Sequence, residues 1–420
     1  MLVTRQGGFK TQPDGNVEQV ANADIEAGPA TYTPKLQPQL ATALLASICM
    51  GLVFGTVMDL GKVTNPIVIR EQMIFQRFIM LKMFLGAAGG SAFFFAILSK
   101  LTPARFETAR EAYFSAVAPK GLLATTVGPF LLGAGMALAG SCPGMVLIQC
   151  GSGVPSGPVA LAGGFVAAIL FGLVQPYLVG FMGSCNVQKA RAEDFQMLSK
   201  VPFGVLAMGM CCACFVVVGI FEFFFPWNSA GKIWNQWLWT AELPWFSKPW
   251  QNTLPPELAG FFVGALQVPA VIFCIDTLGS SSAYMTLSSQ VLVTKTIQEK
   301  LPHWSGFRVG VGNWWQAVYI LCAILGAFIT SWSTGTFGLA SGVQVWEAFL
   351  GGFLMIFGSR VGSGCTSGHG LSGMGLLTLK SMMAVPAMFG GAMFVGFVYQ
   401  AVDPAGYTGF AYQPNPLVSS

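Results

Sequence analysis

GPFLLGAGMALAGSCPGMVLIQCGSGVPSGPVALAGGFVAAILFGLV, residues 128–174, carries no charged side chain, and neither does the longer stretch 121–188 that contains it. A soluble domain carries roughly a quarter of its residues as Asp, Glu, Lys or Arg. A run of this length without one fits segments that cross hydrocarbon, joined by short connections. Yet the run is interrupted by Gly140-Ser141-Cys142-Pro143-Gly144. Glycine weakens a helix, and a proline after the break suits the first turn of a new one. Broken backbone at membrane depth survives only inside protein or beside a watery cavity. A thiol is placed at that break.

The rest of the chain has the same character. Of 420 residues, 54% are hydrophobic and 9% charged, and the mean hydropathy is +0.63. The net charge of +4 is spread out, with no basic block to suit nucleic acid, so no nucleic-acid partner is expected. Six of the ten cysteines (Cys49, Cys211, Cys212, Cys214, Cys274 and Cys322) sit in apolar segments, where free cysteine packs as a small hydrophobe. The one CxxC spacing, Cys211 to Cys214, has no histidine nearby, so neither a metal nor another cofactor is expected.

Nine apolar segments are long enough to span, near 40–60, 78–98, 121–141, 158–180, 202–225, 257–276, 313–332, 346–362 and 383–402. The expected fold is an all-α polytopic membrane protein with about nine transmembrane helices and short re-entrant helices. Residues 1–38 are polar without apolar periodicity and read as a disordered tail lacking the pattern of a signal peptide. A first repeat is expected over 39–200, a linker with one span over 201–256, a second repeat over 257–403 and a C-terminal tail over 404–420. With the tail inside, 15 of the 21 Lys and Arg fall on the inner side, which predicts a cytoplasmic N-terminus and suits a plasma membrane. Lys62, Arg70, Arg77 and Lys82 run against that bias.

The break recurs. Residues 362–370 read GSGCTSGHG, and the segment before them matches the one before Cys142. Gly128 and Gly135 stand fourteen and seven residues ahead of Cys142, and Gly351 and Gly358 the same distances ahead of Cys365. Each motif leads to a span with a double glycine, Gly163-Gly164 and Gly390-Gly391. Four spans, one linking span and four more make the second half enter from the opposite face, so the halves are expected to be inverted repeats.

Two matched interruptions predict one shared site near the midplane. Its candidate residues are Gly140, Ser141, Cys142 and Gly144 from the first motif, and Gly364, Cys365, Thr366, Ser367, Gly368 and His369 from the second. Helix N-termini hold anions without a full cation, and the hydroxyls add donors. A thiol is a weak S–H donor suited to an anion with a polarizable sulfur, such as thiosulfate, and weak binding lets a permeant leave. Cys142 and Cys365 are therefore expected to relay the anion as donors and not to attack it. Glycine-rich turns also serve close packing, and His369 equally suits a helix cap. Arg360 reads as an interface anchor, Gln149 and Cys150 as residues beside the route, and Trp314, Trp315, Trp245 and Trp250 as interface aromatics. Asp59 and Asp276 lie near span ends.

GSCPG at 140–144 and GSGCTSGHG at 362–370 resemble the motifs of the YeeE/YedE sulfur-transport family, the bacterial thiosulfate permeases. GLVFG at 51–55 and FFVGALQVPAVIFCIDTLGSSSAY at 261–284 are similar to it too. The resemblance implies nine spans, inverted halves with a narrow waist, and thiosulfate uptake past the thiols of Cys142 and Cys365. It also implies a third functional cysteine near the first span, where Cys49 lies, and relatives linked with selenium anions. A cytosolic sulfurtransferase would receive the anion. The rival readings are a membrane thiol-disulfide oxidoreductase that joins Cys142 to Cys365, and a scaffold that transports nothing.

Overall fold

Each of the nine apolar segments forms a helix. The computed structural model describes residues 38–117, 121–182, 196, 199–226, 254–292 and 294–408. The expected tail as far as residue 37 lies outside these, as do most of the connections around the apolar segment 202–225, Trp245, Trp250 and the chain beyond 408. Among the described residues there is no strand.

The first half comprises α1 (Leu40–Leu60), α2 (Pro66–Met73), α3 (Ile79–Leu101), α4 (Pro103–Val117), α5 (Leu122–Ala139), α6 (Met145–Gly151) and α7 (Gly157–Met182). A linking helix, α8 (Phe203–Phe224), follows. The second half comprises α9 (Pro256–Cys274), α10 (Ser281–Ser289), the short α11 (Lys295–Lys300) and α12 (Pro302–Ser305), α13 (Val311–Ser333), α14 (Val345–Val361), α15 (Thr366–Gly373), α16 (Leu379–Val402) and α17 (Pro404–Thr408). Among the described residues, eight helices are long and apolar enough to cross a membrane, and α14 with α15, bent by 47°, makes a ninth when the pair is taken as one span. The chain is a multi-pass membrane protein.

Local chemistry sets the ends. Asn65 accepts from the Ile67 N–H and Pro66 takes the first position of α2. Gln344 and Glu347 form a reciprocal capping box on α14. α5 stops at Gly140, whose left-handed φ of 57° a side chain rarely adopts. A Cβ there would also come within 2.5 Å of Pro66. α9 ends in a π-helical turn, Ala270–Cys274, and α15 is π-helical throughout. Such turns interrupt regular winding and often mark functional sites.

Contacts follow the repeat. α1 lies on α13 as α9 lies on α3, and α5 lies on α16 as α14 lies on α7. Exchange of the halves turns each contact into the other. α5 and α14, equivalents of each other, meet antiparallel: Gly128 faces Gly358 and Gly135 faces Gly351. Equivalent helices running in opposite directions are what an inverted repeat requires. Lipid is as apolar as leucine, so these helices associate through close packing at small residues. Gly51 and Gly55 seat α1 on α13, and Gly260 and Gly264 seat α9 on α3. α8 stands outside this symmetry. It packs on α3 and leaves Val205, Val216, Ile220 and Phe223 exposed to the lipid side.

Several charges inside the bundle are paired. Arg70 donates to Glu347 at 2.9 Å with both side chains fully buried, and to the Tyr407 carbonyl at 3.2 Å. The guanidinium lies 5.2 Å from the Tyr407 ring centroid, and Tyr399 donates to the other Glu347 oxygen. α2, α14, α16 and α17 are thereby tied together. Lys82 pairs with Glu222 of α8, and Arg77 with Glu71 at 2.9 Å. Three of the four cations that ran against the charge bias are thus neutralised. Residues 404–408 of the expected tail are a docked helix with Tyr407 fully buried. Trp315 is no interface aromatic: it is fully buried, and its indole N–H donates to Asp276 at 3.2 Å. Asp59 is buried and accepts from Ser152 at 2.7 Å.

Candidate functional site

The two interruptions meet. α5 and α14 deliver them from opposite ends of their antiparallel crossing, and both reach one cavity. Cys142 and Gly144 line it from the first motif, Thr366 and Ser367 from the second. The rest of its lining is Phe54 and Met58 of α1, Met80, Met83, Phe84 and Ala87 of α3, Val263 of α9 and Leu371 of α15. About 50 Å³ is open to the centres of water-sized molecules, enough for a few waters or one small anion.

Each thiol sits where a helix begins. The Met145 N–H, three residues on, points to the Cys142 sulfur at 3.4 Å. The Gly368 N–H bears the same relation to Cys365. A sulfur that accepts from backbone keeps its S–H for another partner. Cys365 is ringed more closely than Cys142. Its sulfur lies 3.0 Å from the Ser367 hydroxyl and 3.5 Å from that of Ser280, which is also 3.5 Å from Ser367. Cys365 is 1% exposed and stands behind Ser367, not on the cavity surface. The Thr366 hydroxyl rests on the thioether sulfurs of Met136 and Met388, both at 3.5 Å. Those are weak acceptors, so the hydroxyl is available to a better one.

The remaining candidates hold the turns in shape. His369 Nε2 lies 3.1 Å from the Gly362 carbonyl, to which it must donate, and Nδ1 lies 3.1 Å from the Ser381 hydroxyl. Ser381 is bonded to Tyr113 at 2.7 Å and receives Thr378 at 2.7 Å. His369 is 2% exposed and lies off the cavity lining, so it braces the second turn. Gly364 lies under that imidazole, where a Cβ would meet the ring at 2.6 Å. Gln149 braces the first turn, donating to the Gly140 and Thr64 carbonyls at 3.0 Å each. Tyr284 adds a bond to the Pro143 carbonyl at 3.1 Å. The Ser141 hydroxyl, fully buried, stays within its own turn, 3.4 Å from the Cys142 carbonyl.

A family model described as sulphur transport matches residues 60–394. The chain belongs to the sulphur transport family. A search of curated proteins finds no match. Membership makes it a sulfur transporter and accounts for the matched motifs, both of which fall within the matched residues.

Two residues that the family resemblance and the motifs brought forward stand elsewhere. Cys49 is exposed on the outer face of α1, and α1 reaches the cavity through Phe54 and Met58. Arg360 is half-buried in the last turn of α14. It lies between the rings of Phe171 and Phe307, at 5.9 and 5.3 Å, with Nη1 3.4 Å from the Ser282 hydroxyl. Conversely, Ser280 belongs to neither motif, yet it touches the second and faces Gly144 of the first, where a Cβ would be 3.6 Å from its hydroxyl. The signal was present: three successive serines, Ser280 to Ser282, follow directly on a broken apolar segment. Within a membrane, polar residues at such a break mark a pathway.

Proposed function

We propose that this sulfur transporter is a permease for thiosulfate, which it passes through the waist by way of the thiols of Cys142 and Cys365. The observation that carries the reading is the convergence of both cysteine-bearing turns on one cavity, with hydroxyls of Thr366 and Ser367 beside them. An anion that enters exchanges water for hydroxyl donors, S–H donors and the N–H groups at two helix starts. No lysine lines the cavity, so binding stays loose enough for release. The chain performs no covalent chemistry in this reading; the nine described cysteines are free thiols, which suits donors and not a disulfide relay. The N-terminus lies in the cytoplasm, the protein resides in the plasma membrane, and a cytosolic sulfurtransferase takes up the delivered anion. Uptake of labelled thiosulfate into proteoliposomes tests the reading. Accumulation above that of empty vesicles is expected, and no accumulation would overturn it.

A further inference from the structure

The cavity has two unlike sides. Thr366 and Ser367 stand on one, their hydroxyls resting on Met136, Met388, Cys365 and Ser280. On the other are Phe54, Met58, Met80, Met83 and Phe84, none more than 7% exposed. These five side chains offer no N–H or O–H. Two of them are placed against the motifs. Phe54 rests on Gly144, where a Cβ would be 3.5 Å from the ring, and Phe84 covers Gly370 so closely that no Cβ fits. The dry side is therefore built against both turns.

Sulfur oxyanions of the sulfate type are tetrahedral. However such an anion turns, two hydroxyls and a thiol cannot serve all four corners, and one corner faces the dry side. An oxygen corner there gives up water and gains no donor, which is costly. A sulfur corner is larger, more polarizable and a weaker acceptor, and thioethers and aromatic edges are good neighbours for it. We infer that the phenylalanine and methionine wall of α1 and α3 selects anions with three oxygen corners and one soft or apolar corner. The wall holds the soft corner beside Cys142 and leaves the oxygens to Thr366 and Ser367. This rests on the permease reading and adds its specificity residues. Exclusion of sulfate is then a matter of one unserved corner, not of net charge, since thiosulfate and sulfate are both dianions.

The test is competition against labelled thiosulfate in proteoliposomes, with sulfate and methanesulfonate as competitors. Methanesulfonate keeps three oxygens and replaces the fourth corner by methyl. In the wild type it competes, and sulfate is weaker by about tenfold or more. Met83→Gln and, independently, Met58→Gln put an amide donor on the wall and strengthen sulfate about tenfold relative to thiosulfate. Met83→Leu, apolar and of similar volume, leaves sulfate excluded. Sulfate matching thiosulfate in the wild type, an unchanged ratio in the Gln variants, or loss of selectivity in Met83→Leu overturns the inference and leaves the permease reading standing. Absence of wild-type uptake removes the permease reading instead. The same order of ligands, read as the rise each gives in Tm of the purified protein, then decides the wall.

Discussion

Gly128 and Gly358 face each other across the antiparallel crossing of α5 and α14. A Cβ on Gly358 would stand 2.5 Å from the Gly128 carbonyl oxygen, and one on Gly128 would stand 2.8 Å from that of Gly358. Gly135 and Gly351 repeat both values, 2.5 Å from Gly135 and 2.8 Å from Gly351. Under exchange of the halves Gly128 becomes Gly351 and Gly135 becomes Gly358, so the two contacts are one contact seen twice. The pseudo-twofold axis passes between them, and the two thiol turns lie seven residues beyond Gly135 and Gly358.

That seam is intolerant of side chains. Gly358→Ala and Gly135→Ala each place a methyl against a carbonyl that cannot rotate away, and each is expected to cost about 1–3 kcal/mol. The two should fall together because they are equivalent positions. Gly390→Ala, with nothing within 4 Å of the added carbon, should unfold like the wild type. Thermal unfolding in detergent reads all three; a fall in Gly390→Ala as large as the others would argue against the seam.

Thiol removal separates function from folding. Cys142→Ala and Cys365→Ala each delete one donor and little volume, and each is expected to lower thiosulfate uptake by about tenfold or more with an unchanged gel-filtration profile. Cys49→Ala, on the outer face of α1, should transport normally. Near-normal uptake by either motif variant would exclude its thiol from the route.

The Arg70–Glu347 pair predicts a large asymmetry. Arg70→Met leaves a carboxylate buried without its cation and is expected to cost about 3–5 kcal/mol. Joining it with Glu347→Gln should restore part of that loss, since the uncompensated charge is gone. Tyr399→Phe removes one hydrogen bond and should cost about 1 kcal/mol. Unfolding temperatures of the four proteins check the order, and a double variant no better than the single one contradicts it.

His369→Phe tests bracing against binding. The substitution strips the Gly362 carbonyl and the Ser381 hydroxyl of a partner, and an unserved buried group costs about 1–3 kcal/mol. Stability and uptake should both fall, while the ranking of thiosulfate, methanesulfonate and sulfate stays as in the wild type. A changed ranking would place the imidazole on the anion.

Reading the sequence located the helices well because the signal is local. Each span from Leu40–Leu60 to Leu379–Val402 is an apolar run of the right length, and its ends are set by glycine, proline or a cap. The two motifs stand out because clustered glycines with a cysteine break a helix, which is improbable in lipid. Their neighbours do not. Met58, Met80 and Met83 look like any apolar residue in α1 or α3. His369 and Gln149 look like candidate ligands until their hydrogen bonds are seen to close the turns. Lys82 and Arg70 look like loop charges until their partners, Glu222 and Glu347, arrive from far along the chain.

By itself the sequence determined that this chain crosses a membrane about nine times, breaks two helices at matched places, and puts a thiol at each break, because hydropathy, helix breakers and spacing are properties of neighbouring residues. The tertiary structure alone decided that the breaks share one cavity, that a methionine wall completes it, that Ser280 backs Cys365, and that histidine stands outside it. Those facts depend on which distant helices touch, and in lipid that choice rests on the close fit of glycine faces, which residue order does not display.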